Sequence, residues 1–203
     1  MQARAEFGTG SSLSSGTVAT RVMIMGGSGS GKSFLALKLA QLSGLPSYHM
    51  DQLSWRPGFV HRSTAELDAA TRDIHARDHW ILEGGHYETG RERAARAHLL
   101  IWLDPHPLLQ GWRVLHRSLR HHRKVRPCMA EGCPESFGLH TVDVIRYAWQ
   151  SRPFHQERIR EIIATAPPGL RIQRLGSGRQ ARRFLSRCAR AAHGPGLLVP
   201  QDL

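Results

Sequence analysis

Eight consecutive residues, Gly26-Gly27-Ser28-Gly29-Ser30-Gly31-Lys32-Ser33, match the spacing G-x-x-x-x-G-K-[ST]. Glycines at these positions let backbone N–H groups curl around phosphate oxygens, and a helix beginning at the lysine adds its dipole. In such a loop Lys32 reaches the terminal phosphates, and the Ser33 hydroxyl joins the coordination shell of Mg²⁺. The chemistry implied is binding of a nucleoside triphosphate, ATP, together with Mg²⁺.

The flanking residues supply the context this motif needs. Arg21 to Met25 (RVMIM) is a short apolar run ending in glycines, as a buried strand does. From Lys32 to Leu42 apolar residues recur at helical spacing until Gly44-Leu45-Pro46. A P-loop also requires an acid at the end of a neighbouring apolar strand to hold the metal's water shell. Glu83 after HWIL and Asp104 after LLIWL both fit, and pattern alone leaves the choice open. Asp51, at the end of a second strand from Ser47 to Met50, would hold a substrate hydroxyl or accept its proton. A turn-forming aspartate would read the same way.

Beyond Asp104 a long amphipathic helix is expected to about His122. Leu108, Trp112, Leu115 and Leu119 form an apolar stripe at spacings of 4, 3 and 4. Arg113, Arg117, Arg120 and Lys124 repeat those spacings one residue on. A stripe of guanidinium groups could clamp transferring phosphates, although a solvated helix face has the same pattern. Trp55 and Phe59 could stack on a substrate ring or simply pack a loop. His121, His122, Cys128, Cys133 and His140 lie in an expected exposed loop, Arg123 to Phe137, and its edges. Their spacing is not that of paired zinc ligands.

Further elements complete an alternating order. Ser63-Thr64-Ala65-Glu66 is a capping box opening a helix to about Arg77. Strands are expected at His79–Glu83, Leu99–Leu103 and Leu170–Leu175, two helical stretches before Thr165, and a final helix over Arg179–Ala192. Strands alternating with helices imply an α/β fold with a mainly parallel sheet covered on both faces. Ligands bind such sheets at the carboxyl ends of the strands.

Composition sets the bounds. The 203 residues suit one α/β domain. We expect a disordered leader over 1–19, a kinase-like domain over 20–192 and a flexible Pro/Gly tail over 193–203. No apolar run approaches the roughly 18–20 residues of a bilayer span, and the first twenty residues lack a secretory apolar core. A cytoplasmic protein without a membrane partner is expected. Three cysteines argue against a disulfide framework. The net charge of +12 is almost all arginine, the only lysines being Lys32, Lys38 and Lys124. Arginine suits phosphates and anionic partners, nucleic acid among them, but GC-rich coding produces the same bias. No helix-turn-helix, zinc-finger or RNP signature accompanies the charge.

The motifs YHMDQLSWRPGF (48–59), WILEGGHY (80–87), LLIWLD, WRVLHRSLR (112–120), RPCMAEGCPESF (126–137) and RIQRLGSGRQARRFL together resemble one family. They are similar to the adenylate-kinase-related P-loop proteins often labelled DNA topology modulation protein FlaR, over about Arg21 to Leu185. The resemblance implies a nucleotide-kinase-type sheet, the five strands in the order 2-3-1-4-5. That order puts the third strand beside the P-loop strand and favours Glu83 over Asp104 as the Mg²⁺-linked acid. It also implies a lid over about 113–137 and an adenine-side loop around Ser177, from Gly176 to Arg179. The family pattern has Asp-Gly-Asn-Tyr where this chain has Glu83-Gly84-Gly85-His86-Tyr87, and Asp where Cys128 stands. The function implied is an ATP-dependent kinase of a nucleotide or another small phosphate- or hydroxyl-bearing acceptor. A nucleic-acid-associated ATPase is the alternative.

Overall fold

The computed structural model describes residues 16–201. In chain order its elements are β1 (Gly16–Ala19), β2 (Arg21–Gly26), α1 (Lys32–Ser43), β3 (Ser47–His49), α2 (Met50–Ser54), β4 (Trp55–Arg56) and β5 (Val60–His61). Next come α3 (Thr64–Ala76), β6 (Trp80–Glu83), α4 (Gly90–Arg96), β7 (Leu99–Leu103) and α5 (Pro107–Arg120). The chain ends with α6 (Leu139–Gln150), α7 (Arg152–Ala164), β8 (Arg171–Leu175), α8 (Gly178–Arg187), β9 (Ala189–Arg190) and β10 (Leu197–Pro200).

Five strands form one parallel sheet in the order β3-β6-β2-β7-β8. In terms of the five expected strands this is 2-3-1-4-5, the order the resemblance implies. Side chains of β2 alternate between the two faces, as the two-residue period of a strand requires. Val22 and Ile24 enter a core with Leu35 and Leu39 of α1, Phe184 of α8, and Leu197 and Val199 of β10. Met23 and Met25 enter the opposite core with Leu67 and Ile74 of α3, Ala94 of α4, and Ile159 and Ile162 of α7. Helices therefore cover both faces, and every β2 residue from Val22 to Met25 is fully buried. The capping box is present as expected: Ser63 accepts from the Glu66 N–H while the Glu66 carboxylate accepts from the Ser63 N–H.

Several expectations need correction. Residues 16–19, assigned to a disordered leader, pair antiparallel with 197–200 of the assigned flexible tail. Their alternation decides this, since Leu197 and Val199 bury themselves beneath α1. The rest of the expected leader, 1–15, lies outside the described residues. Asp51 lies on α2 rather than at the end of a strand, and α4 adds a helix after the β6 loop. The final helix ends at Arg187 rather than Ala192.

The stripes of α5 are reversed relative to a core-facing helix. Leu108, Trp112 and Leu119 are exposed, while Gln110, Val114 and Ser118 are buried. The cause is close approach: a Cβ at Gly29 would lie 2.4 Å from the Gln110 carbonyl oxygen. A face pressed this tightly against the phosphate loop has no room for leucine or tryptophan. The segment after α5 is not an exposed loop throughout. Cys128, Met129, Ala130 and Cys133 are buried, Met129, Ala130 and Cys133 forming a small cluster against Trp55. It is tied to the β4–β5 region by Gln52 Nε2 donating to Pro127 O (2.7 Å), Cys133 Sγ to Arg56 O (3.2 Å) and the Gly58 N–H to Gly132 O (3.1 Å). Among the described residues, no helix is long and apolar enough to cross a membrane.

Candidate nucleotide and phosphoryl-transfer site

The carboxyl ends of β2 and β6 carry the two halves of the site. Gly26 ends β2 with φ 146°, and Gly29 and Gly31 also hold positive φ. A Cβ on Gly26 would lie 2.3 Å from Leu103 O, so the chain can leave β2 here only as glycine. Lys32 Nζ donates to Gly27 O (3.0 Å), which folds the ammonium over the loop.

Glu83 ends β6, the strand beside β2, and is buried. Its Oε1 accepts from Ser33 Oγ at 2.8 Å and pairs with His49 Nδ1 at 2.9 Å. Burial alone would raise the Glu83 pKa, but the His49 bond, the Lys32 charge and the Ser33 bond outweigh it and hold the carboxyl below its usual range. Burial likewise opposes charge on His49. Hydrogen bonds to Cys128 and Glu83 more than offset it and raise the imidazole to about 9. A hydroxyl at the start of the P-loop helix facing an ionised carboxylate is a donor set suited to Mg²⁺ and its water ligands. With a loop whose Gly26 and Gly29 admit no Cβ, these residues fit a metal–triphosphate. Among the described residues no cluster of three His, Cys, Asp or Glu side chains could hold a metal, including around Cys128 and Cys133.

Asp104 is engaged elsewhere. Its carboxylate accepts from Arg152 (2.7 Å), Arg174 (2.6 Å) and Gln156 (3.0 and 3.1 Å), tying the end of β7 to α7 and β8. Arg174 also lies over the Trp102 ring, 4.6 Å from its centroid. Asp104→Asn is therefore expected to cost about 1–3 kcal/mol of stability while leaving turnover within a few-fold of the parent. Thermal unfolding and an ATP-consumption assay on the same variant check both halves.

The three arginines of α5 each meet a different neighbour. Arg113 Nη1 donates to Ser30 O (2.9 Å), and its other amino nitrogen lies 3.0 Å from the Cβ position of Gly178. Arg117 approaches Glu135 (3.4 Å), and Arg120 is exposed. Glu135 also pairs with Arg126 (2.7 Å), which lies 3.7 Å from Asp51. Two buried or half-buried cations thus share one well-buried carboxylate, with the exposed Asp51 at the edge.

On the other side of the loop a cavity of about 480 Å³ opens between β7, β8 and α8. Its walls are largely apolar, with Phe34, Leu103, Leu175 and Leu185, and Ser30, Arg113 and Ser177 reach its edge. Ser177 caps α8, its hydroxyl accepting from the Gln180 N–H (3.1 Å). Trp55 packs edge-on to Phe59 (5.9 Å) and His61 (4.8 Å) within the β4–β5 hairpin.

Sequence reasoning missed three groups around Glu83. His49 could have been noticed one residue before the break of the second strand. Arg93 carried no signal, since it lies in an unrecognised helix. It is fully buried and donates to Gly84 O (3.3 Å) and His86 O (3.1 Å), pinning the loop after β6 from beneath, and burial lowers its pKa to about 10. Tyr87 and His155, 68 residues apart, hydrogen-bond at 2.8 Å beside this loop.

No protein-family profile matches the chain, and no curated protein matches it. Solved structures do match its fold. Shikimate kinase of Acinetobacter baumannii, in complex with shikimate, is similar at TM-score 0.52 and 15% identity, covering 81% of this chain and 88% of that one. A shikimate kinase of Bacteroides thetaiotaomicron (TM-score 0.49, 16% identity, 83% and 96% covered) and a gluconokinase of Sinorhizobium meliloti (0.45, 16%, 82% and 91%) also match. The chain has the P-loop kinase fold. At 15% identity the likeness to the first of these carries the fold and nothing finer.

Proposed function

We propose that this protein is an ATP-dependent kinase of a nucleotide or another small phosphate- or hydroxyl-bearing metabolite. The observation that carries the reading is the Ser33–Glu83 pair at the mouth of the glycine loop. An apolar cavity that reaches Ser30 and Gly31 of the loop, and the Arg117–Glu135–Arg126 cluster, supply the surfaces the reading needs for base and acceptor.

In this reading the base of ATP occupies the apolar cavity, with Arg113 and the Ser177 turn at its rim. Backbone N–H groups of Gly27 to Lys32 cradle the phosphates, and Lys32 moves from Gly27 O onto the terminal phosphate oxygens. Ser33 and, through water, Glu83 would hold Mg²⁺, which when bound neutralises charge on the phosphates. Arg117 and Arg126, which meet Glu135 and Asp51, would turn their guanidinium groups to an anionic acceptor held under the lid. Asp51 accepts the acceptor hydroxyl's proton or orients that hydroxyl. A lid closing over the acceptor would exclude water, so that transfer competes well against hydrolysis. The arrangement supports an acceptor-dependent enzyme within the adenylate-kinase-related group that the motifs resemble.

The deciding experiment is an ATP-consumption screen over nucleotides, nucleosides and small metabolites, with and without duplex DNA. A small acceptor that accelerates turnover supports the kinase. Stimulation by DNA alone would replace it with a nucleic-acid-associated ATPase, for which the +12 charge is the motivating observation. Asp51→Asn is expected to impair transfer to the acceptor by roughly 10²-fold, as loss of a general base does, with ATP binding nearly unchanged. Equal losses in ATP affinity and transfer would assign Asp51 to the nucleotide side.

A further inference from the structure

Strands β2 and β6 are parallel neighbours, and their carboxyl ends release two glycine-bearing loops side by side. Ligands of such sheets bind above this pair of ends. One hydrogen-bonded pair of side chains spans them. The Tyr87 hydroxyl lies 3.2 Å from the Cβ position of Gly85, in the loop after β6. His155, from the first turn of α7, places Cδ2 4.0 Å from the Cβ position of Gly27 in the phosphate loop. Tyr87 Oη and His155 Nδ1 meet at 2.8 Å. Aromatic neighbours fix the pair: Phe154 packs edge-on to Tyr87 (5.8 Å), and Tyr147 lies 6.2 Å from the His155 ring.

The chemistry of the pair follows from its surroundings. Burial raises the Tyr87 pKa further above its usual value, so the phenol keeps its proton and can donate it. Burial and then the nearby Lys32 charge lower the His155 pKa, so the imidazole is neutral near pH 7. A neutral imidazole accepting at Nδ1 carries its proton on Nε2. The ring is thus a hydrogen-bond donor beside Gly27, the residue whose carbonyl holds the Lys32 ammonium.

We propose that His155, held in this tautomer by Tyr87, is a further catalytic residue that donates a hydrogen bond to the transferring phosphoryl group. The inference rests on the kinase reading above and adds a donor from outside the P-loop. Such a donor is neutral, so it supplements Lys32 without repelling it. Tyr87 acts through His155 and is a positioning residue.

The test uses the full chain, with basal ATP hydrolysis as the readout, or acceptor phosphorylation once the screen supplies an acceptor. His155→Ala is expected to lower kcat by roughly 10²-fold, the scale for losing one preorganised donor, with ATP binding within about two-fold of the parent. His155→Gln, whose amide can also donate, is expected to recover about ten-fold of that loss. Tyr87→Phe keeps the ring packing and removes the hydroxyl. It is expected to lower kcat by about ten-fold in the parent, yet by less than about two-fold in the His155→Gln background, where no tautomer remains to be fixed. Two results would overturn the assignment: His155→Ala turnover within two-fold of the parent, or the same loss from Tyr87→Phe in both backgrounds. If His155→Ala fails to fold, the Gln and Phe variants still decide. Lys32→Ala is run alongside. If it is inactive while the His155 variants are not, this inference alone fails; if it keeps full turnover, the kinase reading fails first.

Discussion

Replacing Lys32 by alanine is expected to abolish ATP turnover, a fall of roughly 10³-fold or more, while leaving the fold intact. The side chain packs into neither core. Its hydrogen bond to Gly27 O belongs to the phosphate loop itself. Losing that bond is worth only about 0.5–1.5 kcal/mol. In the transition state of phosphoryl transfer charge spreads over the equatorial oxygens, and a preorganised ammonium there acts on the barrier rather than on folding. A thermal midpoint close to the parent's together with lost turnover is the expected pair of observations. A well-folded variant with unchanged turnover would overturn the assignment of residues 26–33 to a triphosphate.

The second large effect concerns the acid. Glu83→Gln is expected to lower turnover by about 10–100-fold, the scale for removing a partner that orients a metal shell, with part of the loss recovered at high Mg²⁺. Glutamine keeps the volume and can still accept from Ser33, so packing is retained. What it loses is the ionised carboxylate that His49, Lys32 and Ser33 keep charged. Asp104→Asn provides the contrast, because the same change of charge there strikes a clamp between β7, α7 and β8. Activity lost at Glu83 and kept at Asp104 is the expected contrast, with some stability lost in both, because Glu83→Gln also leaves the buried His49 without its carboxylate. If both variants lose activity equally while remaining folded, Glu83 has no special place at the metal.

The two acids illustrate where legibility in the sequence ends. Each follows an apolar strand, and each reads as a possible metal-linked carboxylate. The choice depends on which strand hydrogen-bonds to β2, and both β6 and β7 do. The side chains differ in their contacts: Glu83 reaches Ser33, while Asp104 is occupied by two arginines that arrive from α7 and β8. The stripes of α5 make a similar point. Its periodicity was legible, but the direction of each face depended on a backbone contact with Gly29 that no helical pattern encodes. Arg113, Arg117 and Arg120, aligned on paper, were divided among the phosphate loop, Glu135 and solvent.

What the residues alone determined is local and covalently contiguous. The glycine–lysine–serine loop, its flanking strand and helix, the alternation of strands and helices, and the capping box of α3 follow from backbone sterics and periodicity within a dozen residues. The 2-3-1-4-5 order came from the likeness of the motifs rather than from any of these rules. The tertiary structure alone decided everything that joins distant segments. His49 and Glu83, Arg93 and the Gly84–His86 loop, Tyr87 and His155, and the paired strands at 16–19 and 197–200 meet through packing of the two sheet faces. No periodicity records such pairings, because a hydrogen bond depends on distance in space and the chain between its partners can be of any length.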